Sequence, residues 1–510
     1  MSLSVAFRVD ATSQIGTGHF MRCLALADQL KREGAQVCFV SRGLLSHLRD
    51  MVLARDVKFY ALNISNEMES SDTLSHSHWL GSSQVQDALD CSEALVGCRL
   101  DWMVVDHYAL DQHWETAMRK ITKKIMVIDD LADREHDCDV LLDQNFYADM
   151  QTRYIGKVPS HCQMLLGPRY ALLREEFRLM REKTKPRKGE VKKVLVFLGG
   201  VDADNYTSLA IEALFEIDRL LHVDVVIGAQ HPFRAQIQNI CGDYGYTCHV
   251  QTSQMAELMA QADLAIGAGG TATWERCCLG LPTMVLITAG NQQKLVSDAA
   301  EAGLIYAPLS KCELVDILRR HITTLFESPT LLKHISKVSM EMVDGIGSYR
   351  VSSALHIGSL IMRRVHEENS RELFFWRNHP SVRAVSRDIR LINWESHCSW
   401  LSEVISDVNR EMLIGYDDDC PVGVVRFDVH QDYAEISIYL VPEAPLRGRG
   451  SNLLISAENW LLSNRPDIKK IRAEVLDENA SSRNMFLRCG YHAINIHYMK
   501  ELKGKNEPSN

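Results

Sequence analysis

A short apolar run, a glycine-bearing loop and an amphipathic helix follow one another at the start of the chain, in Arg8-Val9-Asp10-Ala11-Thr12-Ser13-Gln14-Ile15-Gly16-Thr17-Gly18-His19-Phe20-Met21-Arg22. That order commits the region to a strand–loop–helix unit, the building block of a parallel sheet. Glycine lets a loop approach a ligand closely. The free N–H groups and positive dipole end of the helix attract a phosphate. His19 opens the helix, and an imidazole exchanges its proton near neutrality. One stretch therefore offers an anion seat and a candidate base. Taken alone, Gly-x-Gly-His serves as well for a turn capped by a histidine. Its setting between a strand and an amphipathic helix is what points to chemistry.

The unit recurs. Residues 5–9, 37–40, 102–106 and 124–129 read as buried strands with helical patterns between some of them, the clearest at 20–32, closed by Gly34. The polar, basic stretch Lys183-Thr184-Lys185-Pro186-Arg187-Lys188-Gly189-Glu190 reads as a linker. The rhythm then restarts with strands at 194–198, ending in Gly199-Gly200, and at 223–227, 264–266 and 284–287. Two α/β halves in tandem predict a cleft at strand C-terminal ends, where open sheets bind ligands. The run His366-Glu367-Glu368-Asn369-Ser370-Arg371 marks a change. Closely spaced strands at 412–416, 422–428 and 434–441 predict an antiparallel meander, followed by a helix at 451–462, a strand at 471–476 and a helix from about 480. The expected domains are 1–183, 190–362 and 368–502.

Composition bounds the partners. A chain of 510 residues suits about three units of about 150 residues. With 46% hydrophobic and 24% charged residues it has ample core material. A net charge of −10 argues against nucleic acid, whose partners are basic. Fourteen scattered cysteines without a Cys-x-x-Cys, two of them adjacent at Cys277-Cys278, suit a reducing compartment. Neither a signal peptide nor an apolar run of about 18 residues is apparent, so a soluble, cytoplasmic protein with no membrane partner is expected.

Further segments carry candidate chemistry. Gly267-Ala268-Gly269-Gly270-Thr271-Ala272-Thr273-Trp274-Glu275 follows a strand and opens a helix. Gly269 and Gly270 can bring backbone N–H groups to a diphosphate, and Glu275 can accept hydrogen bonds from ribose hydroxyls or complement the helix dipole. No Gly-Lys-Ser/Thr follows, so this is not a Walker loop. Ala289-Gly290-Asn291-Gln292-Gln293 lies just past a strand, where a ligand-facing loop belongs. Val105-Asp106-His107-Tyr108 ends another, and Tyr108 either reaches a cleft or covers the sheet edge. Asp129-Asp130 has no partner at metal-ligand spacing, which favours a capping or hydrogen-bonding role, and no metal is expected. In Leu446-Arg447-Gly448-Arg449-Gly450-Ser451-Asn452, between strand and helix, backbone amides and two arginines suit a pyrophosphate.

As a set, residues 7–10, 16–22, 106–108, 269–275 and Asn291-Gln292 give residues 1 to about 360 a specific resemblance. They resemble the UDP-2,4-diacetamido-2,4,6-trideoxy-β-L-altropyranose hydrolases of pseudaminic acid biosynthesis. The resemblance implies two Rossmann-like domains of the glycosyltransferase-B type, with nucleotide mainly on the second. It makes His19 the catalytic base. Gly18, Arg22, Tyr108, Gly269, Gly270, Thr271, Glu275, Asn291 and Gln292 become substrate contacts. Residues 368–502 resemble an α+β GNAT-type N-acetyltransferase, carried by Arg447 to Asn452 and by Asn479-Ala480-Ser481-Ser482 leading to Cys489-Gly490-Tyr491. This implies acetyl-CoA as cosubstrate, held by Arg447, Gly448, Arg449, Gly450, Ser451 and Asn479. The same pathway acetylates the 4-amino group of the UDP-sugar one step before the hydrolase acts. Two positions depart from the GNAT pattern. Asn452 stands where glycine or alanine is usual, and Phe486 where a proton-donating tyrosine often stands. Tyr491, Tyr498 or water then become alternative acids, and Glu435 a candidate base. The expected whole is a bifunctional enzyme acting on a UDP-linked amino sugar. The rival readings are a glycosyltransferase with a non-catalytic acetyl-CoA-binding module, and a nucleotide-sugar sensor.

Overall fold

The computed structural model describes residues 3–493 except 13, 64–73, 218–219, 309–314, 357–359, 387, 418, 432, 443–448, 466, 469, 477–478, 490 and 492. The chain divides into two compact units, 1–355 and 356–510. Among the described residues no helix is long and apolar enough to cross a membrane.

The first unit contains two parallel sheets. In the first lobe β1 (Ser4–Val9), β2 (Gln36–Ser41), β3 (Lys58–Ala61), β4 (Leu100–Asp106), β5 (Thr122–Ile128), β6 (Val140–Asp143) and β7 (Gln163–Leu166) are ordered β3-β2-β1-β4-β5-β6-β7. In the second, β8 (Lys193–Phe197), β9 (His222–Ile227), β10 (Thr247–Val250), β11 (Leu264–Ala268) and β12 (Thr283–Leu286) are ordered β10-β9-β8-β11-β12. The order reverses between β1 and β4 and again between β8 and β11. These are the points where open sheets leave a crevice at strand C-terminal ends. The apolar runs form these strands because helices cover both faces: Phe7, Phe39 and Val104 pack on one side of the first sheet, Ala6, Val40 and Val105 on the other.

Two features escape the periodic pattern. Arg8 lies inside β1 with no exposure, and its guanidinium meets Asp87 in two bonds (3.1 and 2.7 Å) and Asp10 (2.8 Å). A buried charge persists only when paired in this way. Second, the helix Gly347–His356 falls in the 190–362 division, yet Val351, Ala354 and Leu355 belong to the core of the first lobe. Trp102 Nε1 donates to Leu355 O (2.7 Å). The chain thus returns to the first lobe. Helical periodicity shows that a face is buried but not which sheet it covers.

The basic linker is fastened rather than loose. Arg187 donates to the carbonyls of Ala262 (2.9 Å), Leu279 (2.7 Å), Met259 (2.7 Å) and Ala260 (3.0 Å). At Gly189 φ is +94°, and a Cβ would lie 2.2 Å from Pro329 O, so only glycine fits.

The second unit carries one sheet ordered β13 (Ile361–Arg364), β14 (Arg410–Asp417), β15 (Cys420–Val429), β16 (Tyr433–Leu440) and β17 (Lys470–Ala473). The first four are antiparallel, and β17 joins β16 in parallel. The helix Arg449–Asn464 makes the crossover. It lies close because Gly415 and Gly423 face each other across β14 and β15. A Cβ on either would come within 2.5 Å of Leu453. The expected meander, helix, strand and final helix (Ala480–Arg488) are all present, with β17 ending at Ala473 rather than residue 476.

Two stability measurements test this packing. Arg187→Leu strips several carbonyls of their donor and should cost about 2–4 kcal/mol, read as a lower urea midpoint. Two buried groups titrate upward. Burial, reinforced by Asp130, pushes the Asp143 carboxyl up to about 8. Burial opposes the charge on His136, but Glu115 (2.8 Å) and Asp129 raise it to about 9. Both groups bind a proton more tightly folded than unfolded, so stability falls as pH rises, from about 4 to 8 for Asp143 and from about 6.5 to 9 for His136. The melting temperature should therefore drop between pH 6 and 9. Asp143→Asn should flatten the part below pH 8.

Candidate functional site

His19 sits in the first turn of the helix Gly18–Arg32, directly after β1, with its side chain largely buried. Asp106 ends β4, the neighbour of β1 across the switch point. Its Oδ1 lies 2.5 Å from His19 Nδ1. Arg22, one turn further along the helix, donates to both oxygens of the same carboxylate (2.7 Å each). Burial pushes the Asp106 carboxyl up, but Arg22 and His19 outweigh it and hold it well below the usual carboxylate range. An ionised Asp106 only accepts, so this contact suits the Nδ1–H tautomer, which in the neutral ring leaves Nε2 to accept.

A second carboxylate extends the network. Asp130 accepts from Arg22 (3.1 Å), from Asn145 Nδ2 (3.1 Å) and from the Tyr108 hydroxyl. Tyr108 is buried, and its ring stands edge-on to His19 with centroids 4.6 Å apart. Burial, with Asp130 alongside, holds the Tyr108 hydroxyl protonated well above its ordinary range. Asn145 also accepts from Trp274 Nε1 (2.8 Å), on the second lobe. A continuous chain of hydrogen bonds therefore runs from Trp274 through Asn145, Asp130 and Arg22 to Asp106 and His19.

The second lobe presents its own switch point to this one. Gly269 and Gly270 end the turn after β11, and Thr271 begins the helix Thr271–Cys278. Gly270 has φ +142°. A Cβ on Gly269 would meet Val296 at 2.8 Å, and one on Gly18 would lie 3.7 Å from Thr271 Oγ1. The two helix N-termini thus face one another across the lobes, and neither has a side-chain cap. Uncapped first-turn N–H groups are free to bind an anion. Beneath the glycine turn, buried Arg276 donates to Ala268 O (2.8 Å), and burial pulls its guanidinium down to about 10. Glu275 meets Arg174 (3.4 Å), and burial raises its carboxyl above the ordinary value. Gln292 accepts from Thr288 N (3.1 Å) and packs on Gly269, bracing the turn that carries exposed Asn291.

A cavity of ≈ 610 Å³ opens between the lobes, lined by Asp130, Tyr147, Arg153, Gly290, Asn291 and Lys294, among others. Of the residues expected from sequence, Asn291 lines this cavity, Arg22 and Tyr108 reach it through hydrogen bonds to its lining residue Asp130, and His19 stands against Tyr108. Gly18 faces Thr271 and the Gly269-Gly270 turn across the lobes, Gln292 packs on Gly269, and Glu275 lies a turn further along its helix. Asn145 and Arg276 were not singled out by sequence, Asp106 and Trp274 stood in quoted segments without a role, and Asp130 was given only the capping or hydrogen-bonding role that it has here. The strand-end position of Asp106 and the pair Asp129-Asp130 were the available signals. No group of three or more His, Cys, Asp or Glu among the described residues is arranged to hold a metal ion.

In the second unit Arg447, Gly448 and Tyr498 lie outside the described residues. Arg449 opens the crossover helix and pairs with Asp417 (2.5 Å). A Cβ on Gly450 would meet Met485 at 2.8 Å. Ser451 and Asn452 are buried, and Asn479 caps the last helix by accepting from Ser482 N (3.0 Å). Among the described residues β17 pairs with β16 only as far as Ile436, and Ser437 to Leu440 continue β16 beyond that pairing. Phe486 is buried in the core, its ring 4.9 Å from that of Tyr491, whose hydroxyl burial holds above the ordinary range. Glu435, on β16, stands in register with Arg472 of β17.

Comparison with known proteins agrees with this division. Residues 364–491 match the acetyltransferase (GNAT) family, and residues 193–345 match the glycosyltransferase family 28 C-terminal domain. An uncharacterized protein of Methanocaldococcus jannaschii is 21% identical, with 96% of each chain covered. The UDP-2,4-diacetamido-2,4,6-trideoxy-beta-L-altropyranose hydrolase of Campylobacter jejuni is 23% identical over 59% of this chain and 97% of its own. The fold of Acinetobacter baumannii MurG matches with a TM-score of 0.50 at 14% identity, covering 69% of this chain and 99% of that one. Residues 193–345 are thus similar to a glycosyltransferase family 28 C-terminal domain and residues 364–491 to the GNAT acetyltransferases, and the first unit shares its fold with MurG and its sequence similarity with the UDP-sugar hydrolase.

Proposed function

We propose that the first unit hydrolyses a UDP-linked 2,4-diacetamido-2,4,6-trideoxy sugar to the free sugar and UDP, with His19 as general base. The observation that carries this reading is the His19–Asp106 contact of 2.5 Å opposite an uncapped helix N-terminus on the other lobe. Asp106 fixes the ring with Nε2 accepting. A water at that nitrogen gives up its proton as its oxygen bonds to C1. The bond from C1 to the diphosphate oxygen breaks, and its electron pair leaves with UDP. The amides after Gly269-Gly270 and Thr271 face the charge that grows on the leaving group. A single displacement inverts the anomeric centre, as in water-activating glycosidases. Similarity to the hydrolase supports the choice of water over a second sugar as acceptor.

For the second unit we infer acetylation of the 4-amino group of the precursor UDP-sugar. Arg447, Gly448, Arg449, Gly450, Ser451 and Asn479 would hold acetyl-CoA, which supplies the acyl group. Glu435 would take the proton from the attacking amine. Phe486 is a core residue with no proton to give, which leaves Tyr491 as the described candidate for an acid.

Four measurements test these assignments. Proton NMR of fresh product should show inversion at C1, and retention would exclude direct attack by water. His19→Ala should lower the rate of UDP release by about 10²–10⁴, and Asp106→Asn by a similar order through loss of ring positioning. In both, the calorimetric affinity for UDP should stay within about twofold, because UDP rests on the other lobe. Arg449→Ala should weaken acetyl-CoA binding about tenfold or more, as expected for a charge-assisted contact. Unchanged affinity would remove Arg449 from the cosubstrate site. UDP release without any added acceptor separates hydrolysis from glycosyl transfer.

A further inference from the structure

Beside His19 stands an aromatic wall to which the mechanism above gives no task. It is built by residues 74–83. Leu80 anchors the segment in the core with Ala109 and Leu110, and Ser83 caps the following helix by accepting from Gln86 N (3.2 Å). These anchors hold Trp79 and His76 over Tyr108. The Trp79 ring stacks on Tyr108 with centroids 5.6 Å apart and planes 27° apart. The His76 ring lies 4.6 Å from Trp79 and 5.3 Å from Tyr108. Tyr108 in turn stands edge-on to His19, with ring centroids 4.6 Å apart.

The hydroxyl of Tyr108 is committed to Asp130 and its ring is buried. Trp79 and His76 are only half-buried. His76 Nδ1 is itself buried and meets no hydrogen-bond partner among the described residues. An idle buried nitrogen is costly unless a ligand supplies its partner. An indole face covers methyl and C–H surface, and beside it one imidazole nitrogen can exchange a hydrogen bond. A methyl and an amide, joined and side by side, are what an acetamido group offers.

We propose that His76 and Trp79 read an acetamido substituent of the sugar and favour it over the free amine. The inference rests on the hydrolase reading and deepens it. A free amine brings no methyl to the indole, and water holds its ammonium form more strongly than it holds an amide.

The test uses the full chain, the UDP-linked 2,4-diacetamido sugar and its 4-amino counterpart. The wild type should prefer the diacetamido compound in kcat/KM. Trp79→Ala and His76→Ala should each reduce that preference about tenfold or more, the scale of a lost methyl contact or hydrogen bond. Trp79→Phe should retain most of it, and the affinity for UDP alone should not change. A preference that stays within twofold in both alanine variants overturns the proposal. If Trp79→Ala loses UDP affinity, Trp79→Leu keeps bulk at the position and is read by the same ratio. A wild type that releases UDP from neither compound defeats the hydrolase reading instead. The ratio of equilibrium affinities for the two sugars, measured in the same variants, then decides the wall on its own.

Discussion

One carboxylate organises the first unit. Asp106 is buried at the end of the central strand β4, where an isolated charge would be prohibitive. It survives because Arg22 grips both its oxygens and His19 lies against one of them. The consequences run both ways. The carboxylate needs these partners to stay charged, and they in turn are held in one geometry by it. Arg22 and His19 stand three residues apart on the same helix face, so the pairing also fixes the rotation of the helix Gly18–Arg32 on the sheet. Loss of Asp106 would therefore disturb ring orientation and helix seating together. A UDP-affinity control is needed to tell the two apart.

The same logic joins the lobes. Asp130 shares Arg22 with Asp106, and Asn145 links Asp130 to Trp274 at the start of the opposing helix. Each member is a buried or half-buried polar group satisfied by the next, the condition under which a polar network specifies one arrangement. Within the second lobe a Cβ on Gly269 would come within 2.8 Å of Val296, whereas one on Gly18 would make only ordinary contact with Thr271 across the lobes. Gly269 serves approach between chain segments as much as approach to a ligand. That is why a glycine-rich turn read from sequence alone could not say which use applied.

The sheets were legible because their strands are buried on both faces and so stand out as apolar runs, while the strand order came only with the structure. β1, β2, β4, β5, β8, β9, β11 and β12 fall within a few residues of the runs that announced them. Short strands such as β3, whose residues are half-exposed, gave no such signal. The geometry of the candidate site was half legible. A histidine after a glycine turn is visible in the sequence. Its partner lies 87 residues away at the end of another strand, and only strand adjacency brings them together. Buried pairs such as Arg8 with Asp87 were illegible for the same reason: a charge in a strand pattern reads as an edge until its partner is found.

The aromatic wall shows where periodicity stops being informative. His76 and Trp79 lie in a short turn that belongs to neither a strand nor a long helix. No pattern marks them out from an ordinary surface loop. Their position is set by one buried neighbour, Leu80, and by the cap at Ser83. Loops of this kind carry recognition because the scaffold holds their ends while the residues between stay free to vary. His19 and Asp106 stand at a helix start and a strand end packed on the same sheet, the fixed geometry that the proposed proton transfer needs. Discrimination among sugars needs only a surface of the right chemistry next to them. Placing it on a separate, anchored turn lets one change without the other. A related chain acting on a different nucleotide sugar should therefore differ at the positions of His76 and Trp79 while keeping the strand-end carboxylate.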